Sequence, residues 1–156
     1  MLYFEYCFFH YTTKHCVKLL IQLLNIIVKG VTKLLGIDLI EIDRVRKVIK
    51  KHSNFLNRIF GDEEILHLKE KGFLIQSIAG NFCAKEAFLK SVGIGISRNI
   101  NLKCIEILRN EKNAPYIKIK EDNTELKKYK NVKFSVSIAH TKNYATAVVI
   151  GQPKKD

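Results

Sequence analysis

The chain has 156 residues, of which 47% are apolar and 27% charged: enough apolar matter for one packed core, and too much for wholesale disorder. Lysine and arginine number 27 against 15 acids, a formal net charge of +12. That balance excludes an acidic solvating tail and favours polyanionic partners, whether nucleic acid, an anionic membrane, a phosphate-bearing ligand or an acidic protein.

Residues 1–33 hold one acid (Glu5) and four lysines (Lys14, Lys18, Lys29, Lys33). Within them Val17–Val28 is apolar but broken by Lys18, Gln22 and Asn25. It falls short of the ~20 apolar residues that a bilayer span needs, so no stable membrane insertion is expected. Its length suits a targeting leader over 1–33, with an amphipathic helix on the body or on a membrane surface as the alternative. Cys7, His10, His15 and Cys16 match no familiar zinc-finger spacing. With Cys83 and Cys104 they form no CxxC pair, so neither a disulfide framework nor a structural zinc site is indicated.

The body is expected over 34–152. Its first segment, 34–42, reads as a short buried strand, and Asp43 as the N-cap of a helix reaching about Lys51 with Val45, Val48 and Ile49 on one face. Residues 54–60 continue helically. A further helix starts with Asp62 as its cap, carries Glu63 and Glu64 near its positive dipole end, and stops at Gly72. The longest helix is predicted over 76–92, ended by Gly93 and Gly95. The apolar period then changes from 3.6 to 2. Strands are predicted over 102–108 and 116–120, and the clean alternation of 132–140 leads through Thr141-Lys142-Asn143 into a last strand over 144–150. Helices first and antiparallel strands later predict an α+β fold, an antiparallel sheet packed against the long helix.

Two carboxylates stand in apolar surroundings. Asp38 lies in a strand otherwise made of Leu, Ile and Gly, where a carboxylate needs hydrogen bonds, a cation or a metal. Backbone bonds at a strand end would also satisfy it. Glu86 shares a helix face with Phe82 and Lys90, at i−4 and i+4; the plain alternative is a surface Glu–Lys pair. His140 ends an alternating strand, as a capping or packing histidine often does. Gly93 and Gly95 follow the helix of Glu86 and Lys90, and would let backbone amides approach a phosphate.

Taken in order, these segments resemble a known family. Gly36-Ile37-Asp38-Leu39-Ile40-Glu41-Ile42-Asp43-Arg44-Val45 looks like the opening motif of holo-acyl-carrier-protein synthases, the small class of 4′-phosphopantetheinyl transferases. Phe82-Cys83-Ala84-Lys85-Glu86-Ala87-Phe88-Leu89-Lys90 is similar to that family's F-x-A-K-E-A-x-x-K helix. Asn113-Ala114-Pro115-Tyr116-Ile117 resembles its G-x-P-Y turn, and Ser135–Ala145 its closing S-I-S-H-T hairpin. The resemblance spans about 34–150. Asn81 departs from it, standing where many members carry an arginine, as do Cys83 in place of an alanine, Ile94 and Ala114.

The resemblance implies transfer of phosphopantetheine from coenzyme A to a serine of acyl carrier protein, with Mg²⁺ and release of adenosine 3′,5′-bisphosphate. It assigns Asp38 and Glu86 as metal ligands, and Glu86, Lys90 and His140 as catalytic residues, with Glu86 the base. Lys90, Gly93, Gly95, Pro115, His140 and Thr141 become contacts to the coenzyme. Arg44, with Arg46, Lys47 and Arg58 nearby, would receive the acidic carrier protein, and a homotrimer is the implied assembly. The main alternative is a basic nucleic-acid-binding module without catalysis, for which Tyr116 and Tyr144 offer no paired aromatic platform. The basic, apolar leader together with the Lys/Ile/Asn-rich composition suggests import into an apicoplast-type plastid, with the cytoplasm as the alternative.

Overall fold

The computed structural model describes residues 34–94, 100–120 and 124–154. The leader, the four residues Cys7, His10, His15 and Cys16, and Gly95 lie outside them. The strand β1 (Leu34–Glu41) is followed by α1 (Ile42–Lys51), α2 (Phe55–Ile59), α3 (Asp62–Glu70) and the long α4 (Ile75–Ser91). A 3₁₀ turn (Leu102–Cys104) opens β2 (Ile105–Arg109), which returns as β3 (Pro115–Ile119). The short α5 (Thr124–Lys127) then precedes β4 (Val132–His140) and β5 (Tyr144–Pro153).

The architecture is α+β, as the change of period predicts. The described strands form two sheets. A three-stranded antiparallel sheet has the order β1-β5-β4, and β2-β3 form a separate hairpin. The first strand therefore closes against the last. The register sets Asp38 opposite Ala147, Ile40 opposite Ala145 and Ala145 opposite His140.

Helix α4 lies across β1 and β5. Its Ala84, Ala87, Phe88 and Leu89 share one buried cluster with Ala147 and Val149 of β5 and Ile105 and Ile107 of β2. Gly36 makes the closest approach. A Cβ there would sit 1.9 Å from the Ala87 carbonyl oxygen and 2.5 Å from the Ser91 nitrogen. The glycine is thus what lets β1 lie flat on the helix, a meaning a strand glycine often has. A second cluster, Ile42, Val45, Phe60, Leu68, Ile78 and Ala145, seats α1–α3 at the other end of α4.

Both predicted caps shift by one residue or more. Helix α1 begins at Ile42 after Glu41, and Asp43 instead pairs with Lys47 one turn on, at 2.8 Å. Gly61, not Asp62, precedes α3, and Glu64 reaches back to accept its backbone N–H at 3.4 Å.

Candidate active site

Strand pleat puts Gly36 and Asp38 on the same side of β1, toward α4. There Asp38 meets the third and last turns of the helix. Lys90 Nζ is 2.6 Å from Asp38 Oδ1, and the Cys83 thiol lies 3.3 Å from Oδ2. The main-chain oxygen of Asp38 accepts from the Thr146 hydroxyl at 2.8 Å. Asp38 is 13% exposed and Lys90 53%, so the pair sits where the interior opens to solvent.

Glu86 is half-buried beside them. Its Oε1 is buried and has no hydrogen-bond partner among the described residues. Burial first, then the charge of Asp38, push its carboxyl up to about 7, while Lys90 opposes them. Among the described residues one lysine faces two acids here, so a second acid crowds a partly dry carboxylate with little positive charge beside it. An orphaned carboxylate oxygen beside another carboxylate is a donor set that suits a hard divalent cation such as Mg²⁺. The residues present therefore fit that ion, and Asp38 and Glu86 would hold it. Both simpler alternatives fail. The Asp38 carboxylate is met by the side chains of Cys83 and Lys90, and Lys90 reaches from α4 to Asp38 on β1.

The remaining predicted residues are placed less closely. Gly93 ends α4 three residues beyond Lys90, with φ +71; the Ile94 N–H returns to the Leu89 oxygen at 2.9 Å, a left-handed helix stop. His140 and Thr141 are exposed at the β4–β5 turn. The register keeps them two strands from Asp38 within one protomer, on the order of 10 Å away. Thr141 Oγ1 accepts the backbone N–H groups of Asn143 and Tyr144, at 3.2 and 3.1 Å, and so shapes the turn. The Asn143 oxygen accepts the Ile42 N–H at 2.8 Å, which ties that turn to the start of α1. Pro115 opens β3 in the other sheet. Arg44 and Arg46 are exposed on α1, and Arg58 on α2.

Sequence reasoning missed a second polar cluster on the far side of α4. Lys85, fully buried, pairs with Glu64 at 2.7 Å and donates to the main-chain oxygens of Leu102, at 3.0 Å, and Ile105. Glu64 also accepts from the Ile107 N–H at 3.3 Å and from the Asn81 amide at 3.2 Å, and Arg109 donates to Asn81 at 3.2 Å. Burial pushes Glu64 up and Lys85 down, each held back by the other's charge. Glu64 stands in the first turn of α3, as expected, and is in addition the buried partner of Lys85. Asn81, expected only as a missing positive contact, is a 1%-exposed member of this network. The available signal was Lys85 itself, a lysine flanked by Ala and Phe at helical spacing.

Comparison with known proteins agrees with this geometry. Residues 34–149 match the model of the 4′-phosphopantetheinyl transferase superfamily. The chain is 38% identical over 117 residues to the holo-[acyl-carrier-protein] synthase of Clostridium tetani, covering 74% of this chain and 92% of that protein. It is 41% identical over 124 residues to the enzyme of that name from Alkaliphilus metalliredigens, covering 79% and 98%. Among solved structures, the Helicobacter pylori holo-[acyl-carrier-protein] synthase in complex with coenzyme A superposes with a TM-score of 0.65 at 35% identity, over 76% of this chain and 100% of that one. A body that matches from β1 into β5, with its paired carboxylates where the family motifs fall, belongs to the 4′-phosphopantetheinyl transferase superfamily as a holo-[acyl-carrier-protein] synthase.

Proposed function

We propose that this chain transfers the 4′-phosphopantetheine group of coenzyme A to a serine of apo-acyl carrier protein, with Mg²⁺, and releases adenosine 3′,5′-bisphosphate, as a step serving fatty acid synthesis. The observation that carries this reading is that Asp38 of β1 meets Glu86 and Lys90 of α4, which are distant from it in sequence, at one half-open position. Bound Mg²⁺ supplies neutralisation of the charge that grows on the pyrophosphate as it is cleaved. Lys90 sets its ammonium at the mouth of the same cluster, where phosphate charge is countered. The family resemblance makes Glu86 the base that takes the proton of the attacking serine, directly or through a water.

Contacts of Gly93, Gly95, Pro115, His140 and Thr141 to the coenzyme come from the family resemblance. Because His140 and Thr141 stand away from Asp38 within one protomer, they fit a site completed between subunits. The sheet face turned away from α4 carries Leu35, Ile37, Leu39, Val148 and Ile150, an apolar row that supports a homotrimer. The nucleic-acid reading has little beyond net charge: Tyr116 and Tyr144 lie in different sheets. Import into a plastid rests on residues 1–33 and composition alone; the relatives named above are bacterial, which supports the cytoplasmic alternative.

Intact-mass measurement of apo-acyl carrier protein incubated with the chain, coenzyme A and Mg²⁺ should show the gain of one phosphopantetheine. Asp38→Ala and Glu86→Ala should each abolish that gain while leaving the circular dichroism native. Full transfer by either variant refutes the ligand assignment. Arg44→Glu should weaken carrier binding far more than coenzyme A binding, with an effect that shrinks as salt is added; equal losses for both would contradict its role.

A further inference from the structure

We infer that Cys83 is a positioning residue for Asp38: its thiol holds one carboxylate oxygen fixed so that the other is presented to the cation. This rests on the metal-site reading above and adds to it a residue in which the chain departs from the alanine of the resembled family.

Cys83 is fully buried on α4, one turn before Glu86. Its Sγ lies 3.3 Å from Asp38 Oδ2 and 3.6 Å from the Ala145 main-chain oxygen. A thiol has one proton to give, and a charged acceptor takes it in preference to a neutral one. The two oxygens of Asp38 are thereby treated differently. Oδ2 is gripped by an immobile core side chain, whereas Oδ1 meets the half-exposed Lys90. The Thr146 hydroxyl holds the main-chain oxygen of the same residue at 2.8 Å, and the Cys83 contact opposes rotation of the carboxylate from the core side. Oδ1 is left as the oxygen that a cation can share with the orphaned Oε1 of Glu86. Groups of this kind, which touch a metal ligand rather than the metal, commonly change metal affinity when removed.

The test compares the native full chain with Cys83→Ala and Cys83→Ser. Mn²⁺ serves as the probe in place of Mg²⁺, and its binding is followed by loss of the free-ion paramagnetic resonance signal with saturating coenzyme A present. Cys83→Ala should weaken Mn²⁺ binding by about five- to tenfold, the low end for such partners because S–H is a weak donor. Cys83→Ser, which restores a donor, should stay within about twofold of native. Melting curves in EDTA separate this from a general loss of stability, which would not distinguish serine from alanine in the same order. Native-like Mn²⁺ affinity in Cys83→Ala, or loss in Cys83→Ser as large as in Cys83→Ala, overturns the inference while leaving the proposed transfer intact. A native chain that neither binds Mn²⁺ nor modifies the carrier overturns both.

Discussion

Lys85 and Glu86 are consecutive residues of α4, yet they belong to two polar clusters of opposite character. On one side Lys85 is sealed at 0% exposure, and Glu64, Leu102 and Ile105 take up its ammonium protons. On the other, Glu86 keeps a buried oxygen without a partner next to a second acid and a lysine that reaches solvent. A closed network ties α3, α4 and β2 together and has nothing left to offer a ligand. An incomplete one is unfavourable until something supplies charge, and that deficit marks the site. The contrast is not absolute, since Glu106 Oε2 is also orphaned. Its Oε1, however, is held by the Glu63 N–H at 3.2 Å and by Lys120 at 3.3 Å.

The largest expected effect falls on the sealed side. Lys85→Met leaves Glu64 as an unpaired charge in the core, which should cost about 3–5 kcal/mol. Denaturant unfolding would show it, and Glu64→Gln in the same chain should recover much of the loss by removing that charge while keeping an acceptor oxygen. A stable Lys85→Met chain that failed only in transfer would erase the distinction between the two clusters. Next in size is Gly36→Ala. Its Cβ would overlap the Ala87 carbonyl, so β1 must lift from α4, at about 1–3 kcal/mol. Because Asp38 is two residues along the same strand, transfer should fall more steeply than stability; unchanged activity would mean that the site does not depend on this close approach.

The smallest effect is a pH dependence on the open side. Glu86 ionises near 4.5 unfolded and about 7 folded. A raised carboxyl stabilises the metal-free fold fully below pH 4.5, and that contribution is lost as pH rises to about 7. Melting temperatures in EDTA should decline across that window in the native chain, and Glu86→Gln should flatten the decline. An identical slope in both would remove the claim that Glu86 is held protonated by its surroundings.

Much of the fold was legible locally. Apolar periodicity located β1, the first four helices and the later strands within a few residues, because it is imposed by the side of each element that faces the core, but the short α5 went unpredicted. Caps were less legible: Asp43 and Asp62 are good N-cap residues by type, but Glu41 and Gly61 took those places. There the preceding strand and turn, fixed by the Ile42–Asn143 bond and the Glu64 carboxylate, chose the frame. The separation of the sheets was not legible either, since strand pairing is decided between distant segments.

For the candidate site, composition and motif order pointed to an aspartate in an apolar strand, a Glu and a Lys four apart on one helix, and a basic composition suited to an acidic partner. A sequence can state such types and spacings because they depend on neighbours within one element. Only the tertiary structure decided that Asp38 meets Lys90, that Cys83 touches Asp38, and that Glu64 and Lys85 seal each other in the core. Those contacts join residues up to 52 positions apart, and the two that involve Asp38 exist because a glycine lets β1 press against α4. Burial then sets the charge state that each of these side chains carries.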